Sequence, residues 1–223
     1  AGSWGTLGLI TEVSLKVLPV AQAEATLMCA GLPQKTALDL LHRWGGQPLP
    51  LNASAWVRDT TAQPVADYLF VRLRGAVAAV QSATTRMMAE AVAQGAQVTV
   101  MNNAEAAQDW RVSGEQTLQF FDAPSPDACL WRLSLPQTAP VLDWPDAQYI
   151  EWPGAQRWLR APASAAVALR ELAHSVGGHA TLFRASAAHA EVDKAAGVNT
   201  PLDAVQERIQ QQLQQQFDPK GVF

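Results

Sequence analysis

Between Ala25 and Met101 the hydrophobic period alternates between strand-like and helix-like runs, and their order restricts the fold strongly. Ala25–Leu32 is an apolar run of strand length. Pro33 then suits a helix start, and Ala37, Leu38, Leu41 and Trp44 recur at helical spacing until Gly45-Gly46. Leu51–Asp59 and Tyr68–Arg74 read as strands. The second sets Leu69, Val71 and Leu73 on one face and Phe70, Arg72 and Arg74 on the other. Val77, Val80, Thr84, Met87, Met88 and Ala91 form a helical stripe closed near Gly95, and Ala96–Met101 is a short last strand. The order β-α-β-β-α-β is that of a split βαβ unit. The expected class is therefore α+β: a ferredoxin-like antiparallel sheet with helices on one face.

The remainder is also rich in strand patterns. Asn102 and Asn103 can cap a helix running through Trp110 toward Phe120. Ala128–Pro136 alternates at Trp131, Leu133 and Leu135. Tyr149–Trp152 and Gln156–Arg160 flank a Pro153-Gly154 turn. A helix from Ser164 carries Ala165, Leu169, Leu172 and Val176 and stops at Gly177-Gly178, and His179–Arg184 is the last strand. These elements are expected to extend the first sheet, although no sequence repeat is evident. Ala185–Asn199 reads as a loop or frayed helix. A final helix carries Leu202, Val205, Ile209, Leu213 and Phe217 on one stripe, a pattern that ordinary packing explains.

With 223 residues, 48% of them hydrophobic, the chain can bury one large core or two small ones. A net charge of −4 with scattered acids and bases argues against a nucleic-acid binder. No apolar run reaches the ~18 residues of a membrane span. A cytoplasmic location is the expectation, with peripheral attachment at the inner membrane face through partner subunits. Cys29 and Cys129 sit alone in apolar strands, as small core residues do.

The N-terminal run has three glycines at spacing three, Gly2, Gly5 and Gly8, before an alternating stretch from Leu9 to Leu18 that reads as a strand ended by Pro19. Glycines set this closely let backbone N–H groups approach an anionic group without Cβ interference. Gly-Ser-x-Gly-Thr-Leu-Gly-Leu-Ile-Thr-Glu-Val resembles the FAD-contacting segment of FAD-linked oxidases with a vanillyl-alcohol-oxidase-type flavin domain. The tail Gln-Phe-Asp-Pro-Lys-Gly-Val-Phe resembles the end of the same family. Leu130–Pro136, Ile150–Leu159 and Gly177–Phe183 are similar to the branch that includes the E subunit of glycolate oxidase.

That resemblance implies a division of the chain. Residues 1–20 would be the end of an FAD-binding domain whose remainder is absent. Residues 21–199 would be its cap, on the substrate side. Residues 200–223 would be a helix returning toward the flavin domain. It also implies oxidation of glycolate, a 2-hydroxy acid, to glyoxylate, with FAD as acceptor in the complete protein. The partners would be a catalytic flavoprotein subunit and an iron–sulfur subunit. By itself the chain is expected to hold no FAD, to be inactive, and to form homodimers through the surface a flavin domain would cover.

Gly2, Gly5, Thr6, Gly8, Ile10 and Thr11 match the flavin segment and are the expected cofactor-binding residues. A 2-hydroxy acid presents a carboxylate that a guanidinium grips with two parallel hydrogen bonds. Arg72, Arg132, Arg160 and Arg184 all fall in strands, where they can instead sit on a wet sheet face. Arg132 is the first choice of the four. His179, in Gly-Gly-His-Ala, is a candidate base for the hydroxyl proton, a task that suits a histidine as a residue type, and a structural or flavin-edge role is the other reading. The family's catalytic subunit has a His-Ala-Gly-Asp-Gly-Asn-x-His run at a metal-associated site. Here Ala180-Thr181-Leu182-Phe183 follows His179, so no metal is expected. Trp131, Trp152 and Trp158 can pack on a flavin ring, in the core or at a subunit interface. The alternative to an enzyme part is a non-catalytic ferredoxin-like module for subunit assembly or small-ligand binding.

Overall fold

The computed structural model describes residues 2–3, 5–60, 63–145, 148–195 and 197–222. Trp4 and Phe223, which belong to the terminal motifs, lie outside the described residues. Two compact units are present, Ala21–Asn199, and Ala1–Val20 with Thr200–Phe223.

The larger unit opens with β1 (Ala23–Ala30), α1 (Gln34–Gly45), β2 (Leu51–Asp59), β3 (Ala66–Gly75), α2 (Val77–Ala93) and β4 (Gln97–Val100). It continues with α3 (Asn103–Gly114), β5 (Cys129–Ser134), β6 (Gln148–Glu151), β7 (Gln156–Ala161), α4 (Ala166–Ser175), β8 (His179–Arg184) and a short α5 (Ala190–Ala195). All eight strands join one antiparallel sheet in the order β4-β1-β3-β2-β6-β7-β5-β8. The seam between its halves is β2 on β6, where Ala55, Trp56 and Val57 face Glu151, Ile150 and Tyr149.

Read outward from that seam, the two halves have the same topology. The first runs β2-β3-β1-β4 and the second β6-β7-β5-β8, each pairing its third strand between its first and second. The repeat is hidden in the sequence because one element differs. Where α1 joins β1 to β2, the described residues between β5 and β6, 135–145, are irregular. They deliver Leu135, Ala139 and Leu142 to the core in place of a helix.

One face of the sheet is covered by α1, α2 and α4. Leu38, Leu41 and Trp44 of α1 and Val80 and Met87 of α2 pack on Leu27, Leu69, Val71 and Trp56. Leu169 and Ala173 of α4 pack on Trp131, Leu133, Leu159 and Leu182. Cys29 and Cys129 are buried free thiols in these cores, and burial pushes the Cys29 thiol up to about 12.

The expectation of helices on one face fails at α3, which crosses the opposite face. Asn102 caps it by accepting from the Ala104 N–H at 2.9 Å. Its Trp110 indole donates to Thr26 Oγ1 at 3.0 Å, and Ser113 meets the Tyr149 hydroxyl at 2.8 Å. The apolar side of α3 is too short to compete for the main cores. Its aromatic side chain instead fits the smaller cluster of Ala55, Leu130, Tyr149 and Trp158.

In the smaller unit, the stretch from Leu9 to Leu18 is not a strand. A strand is defined by ladder hydrogen bonds, and an alternating pattern alone does not supply a neighbour. Leu9, Leu15 and Leu18 stand exposed. The helix α6 (Ala204–Phe217) forms as expected, with a capping box in which Asp203 accepts from Val205 and Gln206. Its apolar stripe is not packed: Leu202, Val205, Ile209, Leu213 and Phe217 are all exposed. No helix among the described residues is long and apolar enough to cross a membrane.

Candidate functional site

The second face of the sheet gathers the strand arginines. On β3, Phe70 and Arg72 alternate with the core residues Leu69 and Val71. The Arg72 guanidinium lies 5.0 Å from the Trp110 ring centre and donates from Nε to Asn52 Oδ1 at 2.8 Å. On β5, Arg132 alternates with Trp131 and Leu133 and stands 5.6 Å from the Phe183 ring, with its Nε buried and unpartnered among the described residues. On β7, Arg160 alternates with Leu159 and Ala161. Arg184 reaches this face because the β5–β8 register shifts by one residue between Leu130 and Trp131.

His179 shares the face. Ala180 and Leu182 point into the helix-side core, so His179, Thr181 and Phe183 point the other way. Arg132 faces Thr181 and Ser134 faces His179 across the ladder. Arg132 and His179 are thus diagonal neighbours, a spacing of about 7–8 Å between backbones. His179 is exposed, and no hydrogen bond or ion pair orients it among the described residues.

Two glycines deliver His179 to this position. Gly177, at φ +81°, and Gly178 close α4, donating to the His174 carbonyl at 2.9 Å and the Ala173 carbonyl at 2.8 Å. A Cβ on Gly178 would lie 2.4 Å from the Ser134 carbonyl and 2.5 Å from Leu135 Cδ2, so the β8 entry would have to move off β5. Gly178→Ala is expected to cost about 2–3 kcal/mol in urea unfolding, against about 1 kcal/mol for Gly177→Ala. Equal small losses would show that the close approach is not needed.

Sequence reasoning missed the concavity of this face. A cavity of about 1010 Å³ is floored by Met28, Tyr68, Phe70 and Tyr149 and walled by the segment 118–128, and Arg160 lines it. Neither Arg132 nor His179 does. An aromatic cluster backs the Phe120 and Tyr149 lining: Phe120 and the buried Phe121 lie 5.5 and 5.4 Å from the Tyr149 ring, and Phe121 is 5.8 Å from the buried Trp158. Behind it, Glu151 accepts from the Trp158 indole at 2.7 Å and Gln156 at 3.1 Å, and Ser113 bridges toward Tyr149. Burial raises the Tyr149 hydroxyl well above its ordinary value, so it stays neutral. The alternation of Phe70 and Arg72 pointed to this face. What could not be read was that α3 and its following turn would roof part of it.

The glycine segment belongs to the smaller unit. Gly2, Gly5 and Gly8 all have positive φ, at +83°, +86° and +147°, and nothing lies within 4 Å of a Cβ built on any of them. Thr6 closes the turn, donating from N and Oγ1 to the Ser3 carbonyl at 3.0 and 2.7 Å. Ile10 and Thr11 are exposed. Such a backbone is open to close approach by another group. Among the described residues no three His, Cys, Asp or Glu side chains are grouped to hold a metal.

No family model matches the chain. A curated protein does: glycolate oxidase subunit GlcE of Escherichia coli (strain K12) is 36% identical over 222 residues, covering 100% of this chain. The chain spans 53% of that protein's length, about half. Identity at this level along an entire chain reflects common descent, and the resemblance carried by the terminal, tryptophan and Gly-Gly-His motifs is borne out: the chain is related, from end to end, to a portion of the glycolate oxidase subunit GlcE.

Proposed function

We propose that the chain is the cap and adjoining part of an FAD-linked subunit of a glycolate-oxidising complex. The observation that carries this reading is the 36% identity to subunit GlcE over the whole chain. In this reading the Ala21–Asn199 unit is a ferredoxin-like cap of the vanillyl-alcohol-oxidase type, built from two split βαβ halves. Residues 1–20 and 200–223 belong to the flavin side. The exposed apolar residues of α6 and of Leu9–Leu18 support that assignment, since a soluble surface rarely carries so many without a partner. The same surface supports a homodimer of the isolated chain.

When bound, FAD supplies the acceptor for the hydride equivalent. The chain's own residues orient the acid and handle its proton. Gly2, Gly5, Thr6, Gly8, Ile10 and Thr11 meet the cofactor through backbone donors. Arg132 offers a guanidinium to a carboxylate, and His179 takes the hydroxyl proton. The iron–sulfur and catalytic flavoprotein subunits are the partners this reading requires, with the complex lying at the cytoplasmic face of the membrane.

A colourless chain after incubation with FAD and desalting, beside a complete complex whose flavin is bleached by glycolate, is the expected pair of spectra. A complex whose flavin glycolate leaves oxidised would overturn the reading. Within an active complex, Arg132→Gln with His179→Gln is expected to lower turnover about 100-fold or more. Unchanged turnover would favour the second reading, a non-catalytic assembly module. The exposed, unoriented imidazole of His179 is the observation on that side.

A further inference from the structure

Two guanidinium groups on the second face converge on one neutral atom. Arg160 Nη2 and Arg184 Nη1 both donate to the Phe121 carbonyl, the latter at 3.3 Å. Arg184 Nη2 goes on to Gln116 Oε1 at 3.0 Å. Arg160 Nε is buried and has no partner among the described residues. A fork of two cations around a single carbonyl oxygen leaves donors over and like charges facing each other, which an oxyanion would relieve. Arg160 feels this: it is held below the ordinary arginine value first by burial and then by the charge of Arg184, with Asp122 opposing.

Arg160 lines the wall of the large cavity, where it, Ala161 and Pro162 meet the segment 118–128, and Arg184 joins it from behind that wall through the shared Phe121 carbonyl. Asp59, Asp109, Asp122 and Asp127 line the same cavity, whose other arginine, Arg58, is already held by both oxygens of Asp67 at 2.7 and 3.0 Å. Two charges of one sign at a focal point inside a rim of the other sign make a selective field. One negative charge reaches the arginines at little cost. A second negative charge on the ligand would face the aspartates.

We propose that Arg160 and Arg184 form a binding site for small monocarboxylates at the cavity wall, filled in this structure by the Phe121 carbonyl, and that the aspartate rim excludes doubly charged acids. The choice of glycolate as its ligand rests on the functional reading above; the site itself is argued from the chain alone. It differs from the Arg132 position, which lies outside the cavity.

The test is a titration of the 223-residue chain at constant ionic strength with glycolate, oxalate or inorganic phosphate. The readout is the arginine Nε–Hε resonances, assigned with Arg160→Lys and Arg184→Lys. Glycolate is expected to shift both resonances in the millimolar range, with oxalate and phosphate at least about tenfold weaker. Arg184→Gln, at an exposed position that folding tolerates, is expected to weaken glycolate about tenfold or more. The proposal is overturned if glycolate moves neither resonance, if Arg184→Gln binds as the parent chain does, or if oxalate or phosphate binds as tightly as glycolate. The two readings separate in the complete complex. Binding through this pair in a complex that does not oxidise glycolate would sink the function and leave the site standing. Glycolate oxidation by the complex, with neither arginine resonance of the chain moved by glycolate, would do the reverse.

Discussion

Arg157→Met is expected to destabilise the larger unit by about 3–5 kcal/mol, measured as the shift of a urea unfolding curve at unchanged slope. Arg157 is fully buried in β7, and among the described residues no carboxylate pairs with it. Its guanidinium donates instead to three backbone carbonyls: Nε to Gly154 at 3.2 Å, Nη1 to Pro140 at 2.6 Å and Nη2 to Ala139 at 2.8 Å. Burial pushes its pKa down to about 10, so it keeps its proton at neutral pH. Methionine would fill much of the volume but donate nothing, leaving carbonyls that cost about 1–3 kcal/mol each when buried without a partner. Two of the three, Ala139 and Pro140, belong to the segment after β5, which takes the place of a crossover helix in the second half of the sheet. A helix satisfies its own carbonyls; an irregular segment needs an outside donor. Arg157→Lys is expected to fail nearly as badly, because an ammonium cannot span three acceptors set by a planar fork. A loss below about 1 kcal/mol in Arg157→Met would show that water satisfies these carbonyls instead.

Much of the larger unit was legible in the sequence because its periods are clean. The strands Leu51–Asp59 and His179–Arg184 have the ends read from the sequence, the second set by Gly177-Gly178 before it. What escaped the reading depended on contacts distant in sequence. Leu9–Leu18 alternates like a strand but has no ladder, and alternation reports a two-sided environment only where a neighbour creates one. The α6 stripe has the spacing of a packed helix, yet its side chains are exposed. The internal repeat was invisible because topology can be repeated while one crossover changes from helix to irregular chain. At the candidate site, the shared face of Arg72, Arg132 and Arg160 followed from counting residues along strands. The convergence of Arg160 and Arg184 did not, since it needs a register shift at Leu130 and a turn that brings the Phe121 carbonyl between them.

Trp131→Ala is expected to cost about 3–5 kcal/mol, whereas Trp152→Ala should stay within about 0.5 kcal/mol of the parent chain. The two tryptophans looked alike in sequence, both candidates for stacking on a flavin ring. In the fold they are opposites. Trp131 is 1% exposed on the helix side of β5, donates to the Ala161 carbonyl at 3.3 Å and lies under Arg170, whose guanidinium is 6.0 Å from its ring. Its indole packs among Leu133, Leu159, Leu169 and Leu182, so alanine would leave a cavity between α4 and the sheet that neighbouring side chains cannot close. Trp152 is 67% exposed at the turn between β6 and β7. With the ring already in water, its removal gives up little folding energy, and any larger effect of Trp152→Ala belongs to binding. Chemical denaturation of both variants reads the contrast directly. A Trp131→Ala chain as stable as its parent would mean that α4 is not anchored through this ring and that the second core draws its stability from the segment 135–145.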